Sequence, residues 1–140
     1  MAISRNQQNY IIMTTIYMEL NDFNYGDKSD PRSAKEIMLS LLKEEYNETI
    51  LPPFIEDMVN VSLLHYGEAV ELFSKHLKDW KWERLPLLTQ AILLMSYTHF
   101  KYIETIDKAI VIDVAVKLAK EYIEEKQAKF INAILDEVLA

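Results

Sequence analysis

The sequence predicts an all-α domain of about seven helices. Half of its 140 residues are hydrophobic, yet only two are Gly and four are Pro. Apolar residues recur at three- and four-residue spacings along most of the chain. No hairpin signal of the Asn-Gly type, internal repeat or low-complexity segment interrupts that pattern. This length suits a single domain, residues 1–140, long enough to bury a real core.

Taken in order, a first helix spans Arg5 to Leu20, with Ile12, Ile16 and Leu20 on one stripe and Met13 and Tyr17 beside it. Asn21 to Pro31, rich in Asn, Asp and Gly, reads as the clearest loop. A second helix opens at Pro31 or Ser33: Asp30-Pro31 offers a cap before a first-turn proline, and Ser33 with Glu36 forms a capping-box pattern. Its apolar face is Ile37, Met38, Leu41 and Leu42, and it fades by Asn47. Leu51-Pro52-Pro53 cannot continue a helix, so a third begins near Phe54 and runs on Ile55, Met58, Val59, Ser62 and Leu63 to about Tyr66. Gly67 is the expected break before a fourth, which carries Ala69, Leu72, Phe73 and Leu77.

Asp79 to Arg84 is a connector with two tryptophans, Trp80 and Trp82, both expected to anchor the core. Pro86 starts the fifth and most hydrophobic helix, reaching about Tyr102, and an apolar helix of this kind belongs at the centre. Lys108 to Ala140 holds two amphipathic helices joined by a charged elbow. Val111, Val114, Ala115, Leu118, Ala119 and Tyr122 mark the first, and Phe130, Ile131, Ile134, Leu135 and Val138 the second.

Charge and composition narrow the function. The net charge of −7 argues against a general nucleic-acid binder, which needs clustered Lys and Arg. The acids are concentrated, however: residues 18–72 carry −8, leaving +1 for the rest. A nearly neutral surface built from the two ends can therefore meet RNA, weakly on its own, while the acidic middle faces away. The chain has no cysteine, hence no disulfide, thiolate metal site or thiol nucleophile, which fits a reducing cytosol. No apolar run nears the ~18–20 residues that cross a bilayer, and MAISRNQQNY lacks a signal core, so a cytoplasmic protein without membrane contact is expected.

Chemistry is not requested by the residues. His65, His76 and His99 are too far apart for a local metal motif, and Gly26 and Gly67 make no phosphate loop. The serines lack a nucleophile-elbow context. Glu44-Glu45, Glu56-Asp57 and Glu124-Glu125 are adjacent pairs that diverge on a helix, so they read as solvated faces. No enzyme, metal or cofactor is expected. Tyr17 and Phe130 read as core by spacing, although an aromatic near a helix end beside Lys129 can instead stack on an unpaired base. Lys117, Lys120, Lys126 and Lys129, interleaved with Glu121, Glu124 and Glu125, read as ordinary surface unless another basic element lies alongside.

Leu118-Ala119-Lys120, then Lys129-Phe130-Ile131-Asn132 and Ile134-Leu135-Asp136, resemble the C-terminal signature of the NusB family of bacterial transcription antitermination factors. Trp82-Glu83-Arg84-Leu85 followed by Ala91-Ile92-Leu93 resembles the family's connector and central helix, and Val111-Ile112-Asp113 to Lys120 its next motif. The order and spacing of these words cover essentially the whole chain. The resemblance implies a NusB-like pair of antiparallel three-helix subdomains plus an extra helix. It also implies binding of boxA-type single-stranded RNA together with the NusE-type ribosomal protein, in an antitermination complex on RNA polymerase, especially on ribosomal RNA operons.

Carried over by position, the RNA side is Arg5, Asn6, Gln7 and Asn9 at the start of the first helix, Tyr17 at its motif's end, and Lys126, Lys129 and Phe130 in the last helix. The partner side falls on Thr98 and His99, which stand where the family has a Tyr-Glu pair. Ala133 replaces a family glycine, Val114 a glutamate and Asp107 a proline. Only Arg5 keeps a charge in the normally Arg-rich start, so RNA binding weaker than a typical member's is expected, with heavier reliance on the partner. The alternative is a diverged NusB-fold protein-interaction module that has lost RNA binding. An RNA methyltransferase, some of which carry a similar domain, is not expected of a chain ending at Ala140 with no cofactor loop and no Cys. Homodimerisation that hides the RNA face occurs in this family, and the apolar Tyr10, Ile11 and Ile12 leave it open.

Overall fold

In the computed structural model, which describes residues 2–24 and 32–140, the apolar stripes become seven α-helices. They are α1 (Arg5–Asn24), α2 (Ala34–Tyr46), α3 (Pro53–Leu64), α4 (Tyr66–His76), α5 (Leu87–Thr98), α6 (Lys108–Tyr122) and α7 (Glu125–Val138). A 3-10 turn at Trp82–Arg84 precedes α5, and a π-helical turn at His99–Ile103 follows it. The first three helices pack on one another, α5, α6 and α7 form a second group, and α4 lies against α7 and α5. Lys108, at the start of α6, reaches Asp136 near the end of α7 at 3.1 Å, so these two helices are antiparallel.

Local chemistry sets most boundaries. At the start of α2, the Glu36 amide donates to Ser33 Oγ and the Ser33 amide to Glu36 Oε1, both at 3.2 Å, which completes the capping box. Asn47 ends that helix at φ 53, a left-handed conformation that Asn tolerates, with its amide on the Lys43 carbonyl at 3.1 Å. Asp107 caps α6 by accepting from the Ala109 amide at 2.9 Å. The expected cap at Asp30-Pro31 lies outside the described residues.

Three expectations need correction. Helix α1 does not stop at Leu20 but runs to Asn24. Asn and Asp are poor helix formers without being helix breakers, and the ring of Phe23 lies 5.9 Å from that of Tyr66. The break between α3 and α4 falls at His65, not Gly67, which sits in the first turn of α4 with open space around its Cα. His65 stacks on Tyr102 (centroids 4.0 Å apart, planes 13° apart), a tertiary contact that holds the bend. Lastly, Trp82 is buried as expected, but Trp80 is 61 % exposed and anchors no core.

One continuous core joins both groups. Every residue of α5 from Thr89 to Thr98 is buried, which makes it the central helix. Two of its polar side chains bond within the fold: Gln90 Nε2 donates to the carbonyls of Trp82 and Leu85 at 3.1 Å, and Ser96 Oγ donates to the Ile92 carbonyl at 2.7 Å, while Gln90 Oε1 has no partner among the described residues. Helix α1 is also enclosed on several sides, by Ile11 and Thr15 on one flank and Ile12, Met13, Ile16 and Leu20 on others. Ile11 and Ile12 therefore present no apolar face to a second copy, and half-buried Tyr10 packs its ring 5.3 Å from that of Tyr122.

Candidate nucleic-acid interface

The residues expected on the RNA side divide into those fastened to the fold and those left at its surface. Ser4 and Gln7 form a reciprocal cap at the start of α1. The Ser4 amide donates to Gln7 Oε1 at 2.8 Å, and the Gln7 amide donates to Ser4 Oγ at 3.1 Å. Gln7 thus serves the helix terminus, a role that the Ser-x-x-Gln spacing signals in the sequence. Arg5 lays its guanidinium over the ring of Phe54 in α3 at 3.7 Å, a cation–π contact that fixes one face and leaves its edges to donate. Asn9 is 4 % exposed. Asn6 is exposed, while Tyr17 is half-buried and packs against the core.

Asn6 and Asn9 line a groove of about 420 Å³ between the start of α1 and the second half of α6, together with Val114, Lys117, Leu118, Lys120, Glu121 and Tyr122. Two of the lysines expected to be ordinary surface therefore lie alongside the α1 terminus. Each has a carboxylate neighbour, Asp113 at 3.0 Å from Lys117 and Glu125 at 3.9 Å from Lys120, on exposed positions where such pairs exchange readily with other anions. Burial first, and then the adjacent Glu121 carboxylate, push the Tyr122 phenol up to about 12, so it remains a hydroxyl donor at neutral pH.

Beyond the elbow at Ile123-Glu124, Lys126 and Lys129 are exposed on α7 and Phe130 is half-buried. Lys126 and Phe130 line a second groove of about 270 Å³ with Trp80, Arg84, Leu85, Pro86 and Gln127. Sequence reasoning missed Trp80 and Arg84. Their neighbours Lys126, Gln127 and Phe130 on this groove come from α7, so only the fold places them together.

The residues expected on the partner side are not displayed. Thr98 is 1 % exposed and accepts from Ser62 Oγ at 2.9 Å. His99, 8 % exposed, sets Nε2 2.8 Å from Glu104 Oε1, and its ring meets Phe54 edge-on at 5.4 Å. The hydrogen bond from His99 holds the Glu104 carboxyl below the usual range, with Arg5 adding a smaller push the same way. Arg5 and His99, drawn from opposite sides of the expected site, are thus joined through one phenyl ring. Nearby, Glu68 accepts from the hydroxyls of both Tyr102 and Tyr97. Those bonds, Tyr102's first, hold the Glu68 carboxyl below its usual value, while burial and then the bond to Glu68 raise the Tyr97 phenol. Among the described residues no cluster of His, Cys, Asp and Glu is suited to hold a metal ion, and no helix is long and apolar enough to cross a membrane.

Comparison with known proteins fits this arrangement. The model of the NusB family matches residues 5–140. The transcription antitermination protein NusB of Bacillus subtilis is 31 % identical over 97 residues, 69 % of this chain and 74 % of the relative. That of Finegoldia magna is 29 % identical over 137 residues, 98 % of this chain and 94 % of the relative. Among solved structures, T. maritima NusB superposes with a TM-score of 0.81 at 20 % identity, covering 99 % of this chain and 92 % of its own. A chain in a crystal structure of the antitermination factors NusB and NusE in complex with dsRNA superposes with a TM-score of 0.75 at 17 % identity, covering 98 % of each. The chain belongs to the NusB family.

Proposed function

We propose that this protein is a transcription antitermination factor that binds boxA-type single-stranded RNA together with a NusE-type ribosomal protein and joins an RNA polymerase complex. The family match over residues 5–140, with relatives that are themselves transcription antitermination proteins, carries this reading. The surface chemistry supports it. Asn6, Lys117 and Lys120 lie on one side of the α6–α7 elbow, and Lys126, Lys129 and Phe130 on the other. Cations position phosphates, amides reach base edges, and a half-exposed ring stacks on an unpaired base. On the partner side, buried Thr98 and His99 act by shaping the end of α5 and its π-helical turn, whose exposed residues Lys101 and Tyr102 are those within reach of another protein.

A specific observation keeps the second reading, an interaction module with little RNA affinity. Gln7 is committed to its cap, Asn9 is buried, and Arg5, the only cation in the first helix's opening turn, is stacked on Phe54. Fluorescence anisotropy of a labelled boxA-like RNA and a scrambled control, with the protein alone and then with the NusE-type partner, separates the two. Selective binding that strengthens with the partner is the expected result, with a shallow salt slope reflecting few phosphate contacts. Partner binding without RNA selectivity would establish the second reading, and a steep slope would refute the expectation of a thin phosphate footprint.

A further inference from the structure

We propose that Glu68 and Tyr97 are positioning residues for the partner surface: with His99 they hold residues His99–Ile103 in a π-helical turn, and that turn sets Lys101 and Tyr102 where a NusE-type protein meets them. This rests on the partner reading above and deepens it, because Tyr97 is buried and acts on a partner only through the turn.

The turn is not written into the local sequence. Tyr97 to Glu104 contains no Gly or Pro, so nothing there stops α5 from continuing as an ordinary α-helix. Turns of the π type are rare and concentrate at functional sites. Register shows what holds this one. Along an α-helix, residues five apart point about 140° away from each other, whereas five is the hydrogen-bond interval of a π turn and returns them toward one side. Two side-chain pairs at that interval span the turn. Tyr97 and Tyr102 are the first: their rings meet edge to face with centroids 6.3 Å apart, and both hydroxyls donate to Glu68 Oε2. His99 and Glu104 are the second, with Nε2 and Oε1 2.8 Å apart. An α-helical continuation would swing Tyr102 away from Tyr97 and Glu104 away from His99, so both pairs favour the π form.

Glu68 is itself fastened. Its Oε1 lies 3.6 Å from His65 Nδ1, and the His65 ring stacks on Tyr102. The start of α4 is thereby tied to the turn that follows α5. Exposed Lys101 rides on the same assembly, with Nζ 5.9 Å from the Tyr97 ring centroid. A surface ordered before contact loses less entropy on binding.

The test is calorimetric affinity of the intact protein for its purified NusE-type partner. Tyr97→Phe combined with His99→Ala should weaken binding about ten-fold, as expected for losing hydrogen bonds to charged groups. His99→Gln, which can still donate to Glu104, should retain most of the affinity. His76→Ala removes another histidine–glutamate contact, 3.0 Å from Glu137, and should leave partner affinity unchanged. Lys101→Ala should cost about three-fold in the wild-type chain but add nothing in the combined variant, a non-additivity that general destabilisation does not produce. If the combined variant fails to fold, Tyr97→Phe alone keeps its ring in the core and should show the same non-additivity at smaller size. Additive losses, an equal loss in His76→Ala, or undiminished binding by the combined variant would each overturn the positioning role while the partner reading stands. If the wild-type protein does not bind the partner, both fall.

Discussion

Two aromatic corners of this molecule, on either side of Phe73, differ in a telling way. In one, Tyr97, Tyr102 and His65 are gathered around Glu68, and each polar atom of the two phenols meets that carboxylate. In the other, Trp80, Phe130, Arg84 and Lys126 share a groove in which the cations find no carboxylate. Both are made of aromatic and charged residues, so composition does not separate them. Satisfaction does: a network whose groups answer one another stabilises the fold, whereas unpaired cations beside exposed rings are free to meet a ligand.

The largest expected effect is at the hinge of the comparison. Phe73 is fully buried and touches Trp82 at 5.7 Å and Tyr97 at 6.1 Å, so Phe73→Ala should cost about 3–5 kcal/mol in denaturant unfolding. A loss below about 1 kcal/mol would mean that the two corners are not mechanically joined there.

Next comes the closed corner itself, where Tyr97→Phe should cost about 1 kcal/mol at neutral pH, as for the loss of a single hydrogen bond. The pH dependence follows from two opposite shifts. Glu68 is held below the ordinary glutamate value, so its contribution is present above that value and is lost as pH falls through the depressed one. Tyr97 and Tyr102 are raised above 10.0, so their contribution is present below pH 10.0 and is lost as pH rises through the raised values. Thermal melts of the double variant Tyr97→Phe/Tyr102→Phe should therefore lose less stability than wild type at both the acid and the alkaline end. Parallel profiles would show that the carboxylate does not depend on the phenols.

The smallest stability effect belongs to the open corner. Trp80→Ala should change unfolding by no more than about 0.5 kcal/mol, because little of the indole is buried. A larger cost would turn Trp80 into a structural residue and erase the contrast.

Much of the architecture was legible. Two prolines at 52 and 53, the Ser33–Glu36 box and the spacing along α6 and α7 each state a local rule that the chain obeys. The misses share a cause. Gly67 looked like a break because it lacks a side chain, yet the bend went to His65, whose ring had a partner in Tyr102 thirty-seven positions away. Thr98 and His99 stand where the resemblance expects a partner-facing pair, but the chain from Thr89 to His99 is buried. Gln7, expected on the RNA side, also closes the cap of α1, as Ser4 three residues earlier announces.

By itself, then, the amino-acid sequence determined the all-α class, most helix boundaries, the family and the modest positive charge of the two ends, because these depend on neighbours within about a turn or on summed composition. Only the tertiary structure decided that Trp82 is core while Trp80 is surface, that Arg5 rests on Phe54, and that Arg84 joins Lys126 and Phe130. Those outcomes turn on which distant side chains arrive next to each residue, and local periodicity contains no information about that.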